Sequence, residues 1–252
     1  MRRPGWLKGG STIVWRSASA TDAGRVRSFN EDSLLDMSDR KLWAVADGMG
    51  GHAAGDVASS EVVASLAQIA SAEKLNTAST LVAGAISRAN DQLRHMARER
   101  GKGVVIGTTV VSAVARGSRM ALLWAGDSRA YRLRGQTLQQ LTRDHDLLSD
   151  MQDKNAPEDL IAAVMQSNVV ARAVGAHDHL DIDEVRVAVE PGDAYLLCSD
   201  GLYKEVSEAR IAEIMRDSDP ARATALLLDA ALLAGGRDNV SVVVMHAQKG
   251  KN

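Results

Sequence analysis

The sequence predicts an α+β fold in which antiparallel sheets are covered by pairs of helices. Three observations predict it. Apolar runs of strand length outnumber the stretches with helical periodicity. The helical stretches come in two pairs instead of alternating one by one with strands. Hairpin-like turns such as Gly117-Ser118 and Gly135-Gln136 separate neighbouring strands. A doubly wound parallel sheet would instead need a crossover between successive strands.

In chain order, residues 12–20 read as a strand, Asp22-Ala23-Gly24 as a turn, and residues 33–37 and 41–46 as two further strands. Val62, Val63, Leu66, Ile69 and Ala70 form one stripe at helical spacing, with Asp56 as the expected cap. Leu81, Val82, Ala85, Ile86, Ala89, Leu93 and Met96 form a second stripe ending before Gly101, with cap chemistry at Asn76-Thr77. A strand-rich block follows at 107–115, 119–125, 130–134 and 138–141. Residues 142–180 are polar and mixed, and read as an inserted flap over the sheet edge with a short helix at 157–165. Strands at 182–189 and 194–198, helices at 207–216 and 220–234, and a strand at 240–246 complete the chain. No repeat, low-complexity tract or linker interrupts it, so one domain over 1–252 is expected, with a core of about 12–248.

Composition narrows the function classes. The chain is 45% hydrophobic and 25% charged, as ordinary globular proteins are, and only 3% aromatic, so its core is aliphatic. A net charge of −2 makes no electrostatic case for nucleic acid or an anionic membrane. Arg2, Arg3, Lys8 and Arg16 are not followed by an apolar segment, and no run approaches a membrane span, so neither a signal peptide nor an anchor is expected. The single cysteine rules out an internal disulfide and fits a reducing compartment. A cytoplasmic enzyme is the expectation.

The chemistry sits where strands meet turns. The run 42–46 is followed by Asp47-Gly48, the run 122–125 by Gly126-Asp127, and the run 195–198 by Ser199-Asp200-Gly201. Gly236-Arg237-Asp238-Asn239 opens the last run, 240–245. In antiparallel sheets one strand's start lies beside its neighbour's end, so these carboxylates can converge at one rim. Packed together they repel and call for cations. Taken singly, each Asp-Gly is more often a plain turn, Arg27 a solvated charge, and Glu31-Asp32 a solvated acidic pair. Their joint order reverses that reading.

Arg27-Ser28-Phe29-Asn30-Glu31-Asp32 and Asp47-Gly48-Met49-Gly50-Gly51-His52 join the acidic turns above, Thr142-Arg143-Asp144-His145 and Ala171-Arg172-Ala173-Val174-Gly175. In this order, from about residue 16 to residue 246, they resemble the metal-dependent Ser/Thr protein phosphatases of the 2C type, the PPM family. The resemblance implies a four-layer α-β-β-α sandwich: two antiparallel sheets flanked by helix pairs, with the metal site at one sheet edge. It implies two Mn²⁺ or Mg²⁺ ions bridged by Asp47, one also bound by the Gly48 carbonyl and the other held by Asp200 and Asp238. Glu31 and Asp32 would bind or orient metal waters, Asp127 would serve a third, weaker ion, and Asn239 would orient Asp238. Arg27 would grip the phosphate, since a guanidinium binds two of its oxygens at once.

The implied reaction is hydrolysis of phosphoserine and phosphothreonine in proteins, opposing a bacterial Ser/Thr kinase, without a covalent phosphoenzyme. Two ions about 3.5–4 Å apart lower the pKa of a shared water toward neutrality. The expected partners are phosphorylated proteins targeted by such a kinase, with no nucleic acid, no membrane and a monomeric chain. Two rivals remain at this level: a silent phosphoprotein-binding relative, and a hydrolase of small phosphoesters.

Other residues carry less. Met49 directly follows the Asp-Gly pair, where some relatives place a histidine acid, so His52 does not inherit that role; His145 is expected to order its loop. A solvated reading is preferred for His177 and His179. A cysteine-phosphatase mechanism fails because the sixth residue after Cys198 is Lys204 and not arginine. Gly50-Gly51-His52-Ala53-Ala54-Gly55 lacks the Lys-Ser/Thr of a nucleotide loop.

Overall fold

In the computed structural model the described residues are 12–49, 54–145 and 172–250. Their elements run β1 (Ile13–Asp22), β2 (Asp32–Met37), β3 (Leu42–Met49), α1 (Gly55–Ala67), α2 (Leu75–Arg100), β4 (Gly107–Thr108), β5 (Val110–Arg116), β6 (Arg119–Ala125), β7 (Arg129–Arg134) and β8 (Thr137–Gln140). Then come β9 (Asp183–Ala188), β10 (Ala194–Cys198), α3 (Asp200–Tyr203), α4 (Glu208–Arg216), α5 (Pro220–Ala234) and β11 (Val240–Lys249). One sheet has the order β1-β11-β10-β7-β8 and the other β2-β3-β5-β6-β9, with β4 paired to β3. All these pairings are antiparallel.

The central strands read as unbroken apolar runs because both of their faces are covered. In β3, Leu42, Ala44 and Ala46 pack toward α1 and α2, while Trp43 and Val45 point into the space between the sheets. In β11, Val243 and Met245 fill that same space, while Val242 and Val244 pack with Ile211 of α4 and Leu227 of α5. The period-2 alternation of a strand thus sorts adjacent residues into three separate apolar layers. Four layers, α-β-β-α, follow, as the resemblance implied. Trp15 joins the layers at the middle, its ring 5.2 Å from Trp43 and 5.9 Å from Tyr195.

Helix ends show where local expectation and structure part. Ser207 and Asp219 cap α4 and α5, accepting from the amides of Arg210 and Arg222, and Pro220 opens α5. Asp56 is not the cap of α1. That place belongs to Ala54, and Asp56 lies inside the first turn, where its charge favours the helix N-terminus. Asn76-Thr77 does not cap α2 either: Lys74 precedes it, and the Asn76 side chain accepts from Arg186 of β9 instead. The third strand runs past residue 46 through Asp47 and Gly48 to Met49, so Asp47 sits in a ladder and not in a turn. The expected helix at 157–165, most of the flap and His52 lie outside the described residues.

Candidate metal centre

Both sheets deliver carboxylates to one rim. In the sheet beside α1, Asp47 near the end of β3 is directly paired with Asp32 at the start of β2. Like charges in that register repel. The Asp47 carbonyl is pinned by the Thr109 amide at 2.8 Å and by the Thr108 hydroxyl at 2.8 Å, which fixes the strand end. In the other sheet, β10 and β11 lie side by side, so Asp200 after β10 and Asp238 before β11 meet at the same end. Gly201 makes this junction possible, because a Cβ there would sit 2.1 Å from the Asn239 carbonyl oxygen. Asp127 comes from the β6–β7 connection, and the Tyr203 hydroxyl donates to its carbonyl at 3.1 Å.

A backbone crossing requires glycine at position 48. A Cβ on it would lie 2.2 Å from the Gly55 oxygen and 2.5 Å from the Glu31 oxygen, so β3, the Glu31 loop and the start of α1 cross there. The Gly48 amide donates to the Glu31 carbonyl at 3.1 Å, and the Glu31 carboxylate packs against Gly55 at the α1 N-terminus. Asn239 meets Asp238 as expected, but through its backbone. Its backbone amide donates to Asp238, but its side chain holds the Arg27–Glu31 loop, donating to the carbonyls of Ala23 and Phe29 and accepting from the Glu31 amide. Three bonds use most of what an amide offers.

The electrostatics reflect this convergence. Burial first, then the charges of Asp32, Asp200, Asp127 and Asp238, push the Asp47 carboxyl well above its ordinary range. Burial pushes Asp32 up to about 7, with Asp200 and Asp238 adding and the hydroxyls of Ser241 and Ser199 opposing. Asp127 is raised to about 6 by burial and by Asp200. Asp32 accepts from the Ser199 hydroxyl at 2.8 Å through Oδ2, while its buried Oδ1 has no hydrogen-bond partner.

Two cations lie among these acids. Arg27 donates to Asp238 at 2.8 Å, and Lys204, which sequence reasoning weighs only as a mismatch to a cysteine phosphatase, donates to Asp200 at 2.6 Å. Its position four residues after Asp200 on one helical turn is the available signal. Among the described residues, no three His, Cys, Asp or Glu side chains are already grouped as a chelate. The donor set nevertheless fits hard divalent ions: oxygen ligands only, mutually repelling, with one buried oxygen lacking a partner.

Around the rim, Arg129 grips Asp144 through two nitrogens and stacks over Tyr203 at 3.6 Å, bracing α3 below Asp200. His145 accepts from the Gly126 amide, stacks on Trp124 and faces Asp183 at 3.2 Å, so it ties its loop to β6 and β9. His177 and His179 are exposed. Cys198 is buried, and burial raises its thiol, the reverse of an activated nucleophile.

A family profile described as protein phosphatase 2C matches residues 22–229. The chain belongs to that family. It is 37% identical over 235 residues to the serine/threonine protein phosphatase PstP of Mycobacterium tuberculosis, covering 92% of this chain and 45% of PstP. The chain thus spans less than half the length of that curated relative. Among solved 2C-type structures, PppA, a key regulatory component of T6SS in Pseudomonas aeruginosa, superposes with a TM-score of 0.86 at 40% identity, covering 94% of this chain and 99% of PppA. The PstP catalytic domain in complex with two manganese ions superposes at 0.81 with 34% identity, covering 94% and 100%. Among the described residues, no helix is long and apolar enough to cross a membrane.

Proposed function

We propose that this 2C-family chain hydrolyses phosphoserine and phosphothreonine in proteins with the help of Mn²⁺ or Mg²⁺, reversing the action of a Ser/Thr kinase. One observation carries the reading: buried and half-buried, mutually repelling carboxylates from two sheets meet at one rim beside an arginine. Asp47, the Gly48 carbonyl, Asp200 and Asp238 would hold two ions, with Glu31 and Asp32 at their margin and Asp127 toward a third. Bound divalent ions supply a nucleophilic water at neutral pH and neutralise phosphate charge. The protein's own groups supply the rest. Thr108 and Thr109 hold the Asp47 backbone still, Ser199 orients Asp32, and Asn239 positions the loop that presents Arg27. The guanidinium of Arg27, whose side chain is 55% exposed, is the group that would hold the phosphate's charged oxygens.

The retained acids argue against a silent binding module. We propose one domain, supported by the pairing of β1 with β11 from Ile13↔Lys249 to Asp22↔Val240, acting as a monomer in the cytoplasm.

The deciding experiment compares a phosphothreonine peptide with free phosphoserine, in Mn²⁺, Mg²⁺ and chelator. Metal-dependent turnover of the peptide, well above that of the free amino acid, is expected; turnover that survives chelation overturns the reading. Arg27→Ala is expected to raise KM for the peptide by about tenfold or more, since a charge-assisted contact is worth roughly 1.5–3 kcal/mol. An unchanged KM would remove Arg27 from the phosphate. Asp127→Ala is expected to lower turnover roughly tenfold. Calorimetry should still detect two bound ions, and loss of both would place Asp127 in the primary pair.

A further inference from the structure

Beside the carboxylate rim lies an open cleft of about 380 Å³ lined by Arg27, Gly201, Lys204, Glu205, Arg237 and Asp238. Three cations and two carboxylates line it, and each cation holds one carboxylate: Arg27 holds Asp238, Arg237 holds Glu205, and Lys204 holds the neighbouring Asp200. Glu205, with only 4% of its side chain exposed, takes two bonds from Arg237, at 2.7 and 3.0 Å. Asp238 takes one from Arg27 and belongs to the proposed metal set.

The pairing with Glu205 does not hide Arg237. It anchors the guanidinium at the cleft wall while leaving 73% of the side chain open to solvent. Lys204 reaches the cleft from the end of α3, and Arg237 from the loop ahead of β11. A divalent ion held by Asp200 or Asp238 would compete with Lys204 or Arg27 for those oxygens and would free the cations for another anion. Close to Arg27 in the chain, Val26 and Phe29 are 67% and 78% exposed and add apolar surface to the same loop. Such a mixed surface suits a peptide better than a small metabolite.

We propose that this cleft is a substrate subsite for acidic side chains, so that the preferred substrates are phosphopeptides with Asp or Glu within about three residues of the phosphoresidue. An extended chain advances about 3.3–3.6 Å per residue, and Arg237 is the immediate chain neighbour of Asp238. A carboxylate one to three residues from the phosphate therefore reaches the Lys204–Arg237 wall. This inference rests on the phosphatase reading above and adds to it the sequence context that the enzyme selects.

The test uses four phosphothreonine peptides, carrying two Glu or two Lys on the N-terminal or the C-terminal side, with the full chain in Mn²⁺. For wild type, kcat/KM is expected to favour Glu over Lys on at least one side by about tenfold or more at low salt, with the ratio shrinking as salt rises. In Arg237→Gln and Lys204→Gln the same ratio is expected to fall to about threefold or less. Because it compares two peptides on one protein, a change in overall turnover does not mimic this effect. Thermal melts of both variants confirm folding, and the two positions check each other. A wild-type ratio near one on both sides, or a ratio that both variants retain, overturns the subsite while leaving the phosphatase reading intact. Absence of hydrolysis of every peptide overturns both.

Discussion

Replacing Asp47 with asparagine is expected to lower Mn²⁺-dependent hydrolysis of a phosphothreonine peptide by about a thousandfold, while the metal-free protein becomes more stable. Both effects come from one carboxylate. Asp47 faces the charges of Asp32, Asp200, Asp127 and Asp238 in a poorly solvated place, so its ionised form costs stability whenever no cation compensates. The amide is nearly isosteric and keeps the strand pairing with Asp32, but it cannot supply the negative charge that two divalent ions share. Loss of a group acting directly at the reacting centre typically costs about a hundredfold to a thousandfold. Parallel assays of turnover and of melting temperature in chelator check the two halves. Retained turnover would show that Asp47 does not bridge ions, and a lowered melting temperature would show that its charge is compensated by the fold.

The second large effect is a dependence of stability on pH that metal reverses. Asp32 and Asp127 titrate at about 7 and about 6 in the folded chain, and Asp47 is also displaced upward, whereas in the unfolded chain each carries the ordinary value of 3.8. Between those limits the folded state binds more protons than the unfolded one. Stability contributed by the protonated forms is therefore complete below pH 3.8 and is lost as pH rises through 6 to 7 and beyond.

In chelator, denaturant unfolding is expected to show a less stable protein at pH 8 than at pH 5.5. Half-buried His246, whose pKa is lowered by burial, opposes this trend only below about pH 6.5. Saturating Mn²⁺ binds the ionised carboxylates and is expected to make pH 8 the more stable condition. Asp32→Asn should flatten the slope in chelator. A chelated protein equally stable at both values, with no change in Asp32→Asn, would mean that the carboxylates are compensated within the fold.

Much of the fold is legible in the chain. Ala194–Cys198 and Pro220–Ala234 lie where their periodicity places them, because a five-residue apolar run and a proline-opened amphipathic stretch each have one favourable local solution. The stop of α2 at Gly101 is legible for the same reason. The caps expected at Asp56 and Asn76 do not form, because a polar side chain near a helix start can serve another partner, as Asn76 does with Arg186. Asp47 reads as a turn residue in isolation, yet pairing with Asp32 and contacts from Thr108 and Thr109 draw it into a ladder.

Which acids stand at strand ends, which family they resemble and that hard divalent ions suit them can all be read along the chain. Long-range packing is what shows that the acids come from two different sheets, that Asn239 holds the Arg27 loop across more than two hundred residues, and that Gly48 serves a backbone crossing. It alone placed Lys204 and Arg237 together in one cleft. Local periodicity reports which face of an element is apolar. The partner a polar group meets there depends on how distant elements pack, and no short stretch of chain carries that information.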